Sequence, residues 1–177
     1  GGGLPLIGAS PDAVVRYPNG TLQPLEVKSH APFAQGGSTR KSATYGKFTV
    51  RDPGPRDRVA AWHVPQIQME MMCLGEGCTS ALFLSSSATR GVTILQMGRD
   101  DAYLSSMLSL AGSFQSDFVD AGQPPPEDFF ADRKGYAEFL NRTLEIAEGA
   151  EVVARIPDEQ VQRSPSNVKW FLGGRRR

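Results

Sequence analysis

Asp12 follows a proline in Ser10-Pro11-Asp12, and a short turn-bearing segment further on lies Glu26-Val27-Lys28. Two carboxylates can hold Mg²⁺ or Mn²⁺, hard ions that take oxygen ligands, keep several waters and need one or two protein carboxylates besides substrate phosphate oxygens. An ammonium beside such an ion can orient a water or stabilise charge developing on a phosphate. The pattern fits metal-dependent cleavage of a phosphodiester: Asp12 and Glu26 as ligands, the Val27 carbonyl as a further ligand, and Lys28 as the catalytic ammonium. Taken alone, an acid-x-lysine triplet is common. The same residues can form an exposed pair on a sheet face, worth at most about 1 kcal/mol.

These groups need a hairpin to bring them together. Asp12 to Tyr17 reads as a strand, Pro18-Asn19-Gly20 as a turn, and Leu22 to Ser29 as the returning strand. Side chains alternate along a strand, so Glu26 and Lys28 share one face while Val27 takes the other. Pairing of the two strands puts Asp12 beside the last residues of the second. Upstream, residues 4–8 read as another short apolar strand.

Residues 63–75 read as a helix, with Pro65 tolerated in its first turn, Ile67, Met71 and Leu74 at helical spacing, and Gly75 as the stop. Gln66 and Glu70 share a face apart from that stripe. Gln68 lies roughly opposite Gln66, which ranks first as a site residue, with Glu70 behind it as a candidate to approach the metal. The Met69, Met71, Met72 cluster reads as core packing.

Thr79–Ser86 and Val92–Met97 read as two more strands, joined by a turn containing Arg90-Gly91. Asp100–Val119 reads as a helix capped by Asp100, with Leu104, Met107, Leu108, Ala111 and Phe114 as its apolar stripe. Tyr136–Gly149 reads as a short acidic helix, and the remainder is weakly patterned. The expected division is a core over 1–122, with an insertion loop at about 31–61, followed by an extension over 123–177.

The 177 residues, 40% of them hydrophobic, suffice for a domain with a core. No apolar run reaches the ~18–20 residues of a membrane span, and the glycine-rich start lacks the features of a signal peptide. The expectation is a soluble intracellular protein with no membrane partner, its compartment open and the nucleus allowed in a eukaryote. Cys73 and Cys78, with His30 and His63 as the chain's two histidines, make no convincing four-ligand zinc site.

Net charge is zero but unevenly placed: residues 1–61 hold eight Lys and Arg against four Asp and Glu, and residues 100–151 hold three against eleven. A basic N-terminal third can face a polyanion. Arg40, Lys41, Lys47, Arg51, Arg56 and Arg58 supply it, and a solvated insertion explains them equally well. His30, Trp62, Tyr45 and the tail Arg175-Arg176-Arg177 are lesser candidates for contact with nucleic acid.

Gly8-Ala9-Ser10-Pro11-Asp12, Leu25-Glu26-Val27-Lys28 and Pro65-Gln66-Ile67-Gln68-Met69, in that order, resemble the YqaJ-type viral recombinase and lambda-exonuclease branch of the PD-(D/E)XK nuclease superfamily. The resemblance covers residues 4 to about 119. It implies an α/β restriction-endonuclease-like core with a small mixed sheet flanked by helices. It also implies that Asp12 and Glu26 hold Mg²⁺ or Mn²⁺, that Lys28 is catalytic, and that Gln66 leads the helix beside the site, with His63 where relatives often have tyrosine. The implied activity is metal-dependent DNA cleavage, in the best-known members exonucleolytic digestion of a duplex from a free end in recombination or repair. Some members form ring-shaped trimers, so a homo-oligomer is an expectation too. Ala13 stands where the family usually has glycine, and Ser29-His30 where it often has Cys-Pro. The family's helical region before the first strand, with its further acid, is expected to be missing from a chain that starts at Gly1. That makes a catalytically incomplete DNA-binding or assembly module the alternative.

Overall fold

A computed structural model describes residues 7–30, 52–131 and 133–161, together with the backbone of two short strands at 33–34 and 49–50. The chain is mixed α/β, with a five-stranded mixed sheet flanked by helices.

The first two strands, β1 (Ala13–Arg16) and β2 (Leu22–Ser29), pair antiparallel in the register Ala13↔Leu25 through Arg16↔Leu22. Their turn has a local cause. Pro18 presets its own φ, Gly20 adopts φ +87°, and Asn19 Oδ1 accepts from the Thr21 N–H at 3.0 Å. Asp12 sits at a bend just before β1. Ile7 and Gly8 form no strand, contrary to the expectation for 4–8, whose first three residues lie outside the described ones. β1 is the edge of the sheet, and no described strand lies beyond it for them to pair with.

Within the segment read as a loop, β3 (Phe33–Ala34) and β4 (Thr49–Val50) make a small antiparallel ladder of their own. Arg40, Lys41, Tyr45, Lys47, Arg51 and the terminal arginines lie outside the described residues.

A single 3₁₀ turn, Ala61–His63, leads into α1 (Val64–Cys73). Pro65 falls in its first turn, where its missing N–H needs no partner, and Gly75 at φ +100° ends it. β5 (Ser80–Ser86) alternates strictly, burying Ala81, Phe83 and Ser85, and β6 (Val92–Gly98) buries Val92, Thr93, Leu95 and Met97. α2 (Asp101–Phe114) begins where Asp100 Oδ1 accepts from the Tyr103 N–H at 2.8 Å. Its continuation Gln115–Val119 is π-helical rather than α-helical. α3 (Tyr136–Glu148) follows, and β7 (Glu151–Ile156) forms where the sequence is weakly patterned. The sheet order is β1-β2-β5-β6-β7.

Two compact units divide the chain. The first gathers the described residues of Gly1–Glu26, Arg58–Phe83 and Leu95–Glu151; the second gathers those of Val27–Asp57, Leu84–Ile94 and Val152–Arg177. The first unit contains a continuous core: Val59, Val64, Ile67 and Met71 meet Ala81, Phe83, Leu95, Met97, Tyr103 and Ala147. Tyr103 stacks on Phe139 with ring centres 4.7 Å apart, and Thr143 Oγ1 donates to the Tyr103 hydroxyl at 3.1 Å. In this way α3 closes over α2 and brings Ala147 into that core. Among the described residues no helix is long and apolar enough to cross a membrane.

Candidate active site

The ladder between β1 and β2 ends at Ala13↔Leu25, so Asp12, one residue before, and Glu26, one residue after, lie at the open end of the hairpin. Cross-strand neighbours share a sheet face. Asp12 is exposed, whereas Glu26 is 3% exposed. Val27 and Lys28 are half-buried further along β2, and strand alternation gives Lys28 the face of Glu26.

Opposing acids need a third element to matter, and α1 supplies it. Gln66 and Glu70 are four apart, one helical turn. Gln66 Nε2 donates to Glu70 Oε1 at 2.9 Å. Glu70 is fully buried, and its Oε2 has no hydrogen-bond partner. Its carboxyl is pushed up to about 7, chiefly by burial, and further by the negative charges of Glu26 and Asp12, against the pull of the Gln66 amide. A protonated Glu70 can also donate to Glu26, which adds to the upward shift. Two carboxylates that meet in a buried place require a proton or a cation between them.

Asp12, Glu26 and Gln66 thus belong with Glu70 to one neighbourhood of the first unit, and Lys28 follows on the strand that carries Glu26. No group of three or more His, Cys, Asp or Glu among the described residues stands close enough to hold a metal ion. The chemistry of the donor set still fits a hard divalent cation, since every charged group in it is a carboxylate and one buried carboxylate oxygen lacks a donor.

The other candidates have structural partners. Gln68 is fully buried; its Nε2 donates to the Gly98 carbonyl at 2.8 Å and its Oε1 accepts from the Asp100 N–H at 2.9 Å. Of the two glutamines, Gln68 therefore ties α1 to the β6–α2 junction. His63 Nε2 accepts from Trp62 Nε1 at 3.1 Å, and its ring lies 5.3 Å from that of Phe83. Trp62 itself is 74% exposed. Cys73 and Cys78 are both thiols, Cys78 buried with its pKa raised by that burial.

In the second unit His30 Nε2 lies 2.9 Å from Ser85 Oγ, and its pKa is lowered by burial and by the Arg56 charge. Asp52 is held below the usual carboxylate range. Burial alone would raise it, but the Gly54 N–H, the Thr89 hydroxyl and N–H, and the Arg90 charge outweigh that.

Glu70, placed behind Gln66 by spacing along α1, is the buried member of that pair. Its spacing from Gln66 was a visible signal; its complete burial was not. Comparisons with protein-family models, with curated proteins and with solved structures give no match to this chain. The class the fold defines is therefore that of a mixed α/β protein.

Proposed function

We propose that the chain is a metal-dependent deoxyribonuclease of the YqaJ and lambda-exonuclease type, acting on linear duplex DNA in recombination or repair. The observation that supports this reading best is the juxtaposition of Asp12 and Glu26 at the open end of the hairpin, facing the Gln66–Glu70 pair of α1.

Asp12, Glu26 and the Val27 carbonyl are the residues that would hold Mg²⁺ or Mn²⁺. Bound there, the cation supplies charge neutralisation at a phosphate and a more acidic water. The chain's own groups do the rest. Lys28 holds the attacking water or the developing phosphate anion through its ammonium protons. Gln66 fixes the carboxylate of Glu70 by its amide, and Glu26, buried, keeps its position through the sheet. Trp62, exposed one turn before Gln66, offers a face on which a base can stack.

The test is degradation of linear duplex DNA with Mg²⁺ or Mn²⁺. Wild type digests it, Lys28→Ala does not while keeping its melting temperature, and excess chelator silences wild type. Robust cleavage by Lys28→Ala or in chelator would exclude this chemistry.

A second reading is a nuclease-fold DNA-binding or assembly module without turnover, favoured by the lack of a closed set of three ligands among the described residues. Salt-sensitive DNA binding that is indifferent to metal separates it from the first.

A further inference from the structure

The second unit carries a shaped loop with cations around it. Pro53-Gly54-Pro55 combines two ring-fixed φ angles with Gly54 at φ +88°. Asp52 pins the loop to the turn between β5 and β6. Its Oδ1 accepts from the Gly54 N–H at 2.9 Å, and its Oδ2 accepts from the Thr89 N–H and hydroxyl at 2.7 and 2.9 Å. Two cavities share the loop as a wall. One, of about 360 Å³, is lined further by Ser29, His30 and Arg56; the other, of about 400 Å³, by Arg90, Thr93 and Arg155 among others.

The guanidinium groups around these cavities are not spent on acids. Among the described residues Arg56, Arg90 and Arg155 form no salt bridge, all three are exposed, and no acid lines either cavity. The adjoining acids, Asp52 and Asp158, have partners of their own. Arg90 runs along the loop, where a Cβ on Gly54 would lie 3.4 Å from its Cδ, and Arg155 Nη1 reaches Thr93 Oγ1 at 3.5 Å. On the other side Ser85, fully buried, accepts from the Arg56 backbone N–H at 2.8 Å. The same Oγ lies 2.9 Å from His30 Nε2, the one acceptor in reach of its proton among the described residues. Ser85 therefore donates to Nε2, and the ring proton sits on Nδ1, where no described residue accepts it. Burial and the Arg56 charge lower the His30 pKa, which keeps the ring neutral at pH 7.

Guanidinium forks with hydroxyl and N–H donors are the donor set of a phosphate site. Three residues of chain span at most ~11 Å, so linked phosphates can reach both cavities. We propose that the two cavities flanking Pro53-Gly54-Pro55 hold phosphate groups of one ligand, with Arg56, His30 and Ser29 on one side and Arg90 and Arg155 on the other. Successive phosphates of a nucleic-acid strand and those of a free polyphosphate share this chemistry. The site goes beyond the proposed nuclease, since it uses none of Asp12, Glu26, Lys28 and Gln66 and needs no metal.

The experiment measures binding of a fluorescein-labelled DNA duplex by anisotropy, and of inorganic tripolyphosphate by calorimetry, to the full chain in chelator. The variants are Arg56→Gln, Arg90→Gln, Arg155→Gln and the three combined. Lys134→Gln, which removes an exposed cation of the first unit, is the control. Each single variant should weaken binding about three-fold or more and the triple variant about thirty-fold. The slope of log affinity against log salt for the duplex should fall by ~1 per arginine removed, and Lys134→Gln should stay close to wild type. A triple variant that loses no more than Lys134→Gln overturns the proposal, as does a wild type that binds neither probe. Tripolyphosphate binding without duplex binding upholds the site and assigns it to a free polyphosphate; duplex binding that resists tripolyphosphate assigns it to a strand. Cleavage with Mg²⁺ is read separately. Its absence from wild type removes the nuclease and leaves this site, whereas Lys28-dependent cleavage by a chain whose triple variant binds normally removes this site alone. Should the triple variant fail to fold, arginine side-chain ¹⁵N spectra of wild type decide: the Arg56, Arg90 and Arg155 signals move as either probe binds, and signals unmoved at saturation overturn the proposal.

Discussion

The Gln66 side-chain amide donates to one oxygen of Glu70 at 2.9 Å, and the other oxygen of the same carboxylate is buried with no donor. This half-satisfied carboxylate has a consequence for pH. The ordinary carboxyl value of 4.5 rises to about 7 in the fold. Between those values the folded chain binds more protons than the unfolded one, so stability falls as pH rises from about 4.5 to about 7 and stays lower above that. The loss is on the order of 2–3 kcal/mol. Thermal melts in chelator across that range should show it in wild type, and Glu70→Gln should flatten it. An unchanged slope in Glu70→Gln would mean that another group is responsible.

Lys28→Ala should reduce DNA cleavage by at least ~10²-fold, as expected for loss of a charge acting on a reacting phosphate. Lys28 is half-buried on β2, so the melting temperature should stay within a few degrees. Cleavage rates and melting curves on the same preparation check both halves.

Gln68→Leu keeps the volume but strands the Gly98 carbonyl and the Asp100 N–H, both now satisfied by Gln68. Gly98 is exposed and Asp100 half-buried, so water replaces part of what is lost, and the cost should be roughly 1–2 kcal/mol. Gln66→Leu, by contrast, should cost less stability and more activity. Urea denaturation of the two variants tests the division of labour between the two glutamines.

Asp100→Ala removes the N-cap of α2 and the partner of Arg142, whose Nε and Nη2 reach Asp100 Oδ2 at 2.7 and 2.6 Å. The expected cost is about 1–3 kcal/mol. Burial alone would raise the Asp100 pKa, but the Tyr103 N–H and Arg142 draw it below its ordinary value. Its contribution is thus present above that ordinary value and lost as pH falls through the lowered one. Wild type and Asp100→Ala should converge in stability in acid; a gap that persists there would contradict the assignment.

Gly91→Ala should disrupt the second unit. Gly91 has φ +85°, and a Cβ there would come within 2.2 Å of the Ile156 carbonyl oxygen at the end of β7. Backbone cannot yield as a flexible side chain can, so a cost above ~2 kcal/mol is expected. Amide exchange at β7 faster than in wild type is the readout.

Several elements were legible in the chain because their causes are local. Pro18-Asn19-Gly20 dictates a turn whatever surrounds it, and with it the β1–β2 hairpin and the meeting of Asp12 with Glu26. Pro65 and Gly75 bracket α1, and Asp100 caps α2, for equally local reasons. β7 escaped notice because four of its six residues are exposed, leaving no apolar alternation to read. The π-helical turn at Gln115–Val119 carries Phe118, whose ring packs on Phe114 and on Phe129, the latter eleven residues further along the chain.

The sequence by itself determined the order of the acids, the lysine and the glutamine helix, since those depend on residue type and short-range turn chemistry. Only the tertiary structure decided which glutamine serves the fold and which orients a carboxylate, and it alone buried Glu70 against Glu26. Burial depends on what other strands and helices cover a side chain, and a spacing of four along one helix carries no record of that.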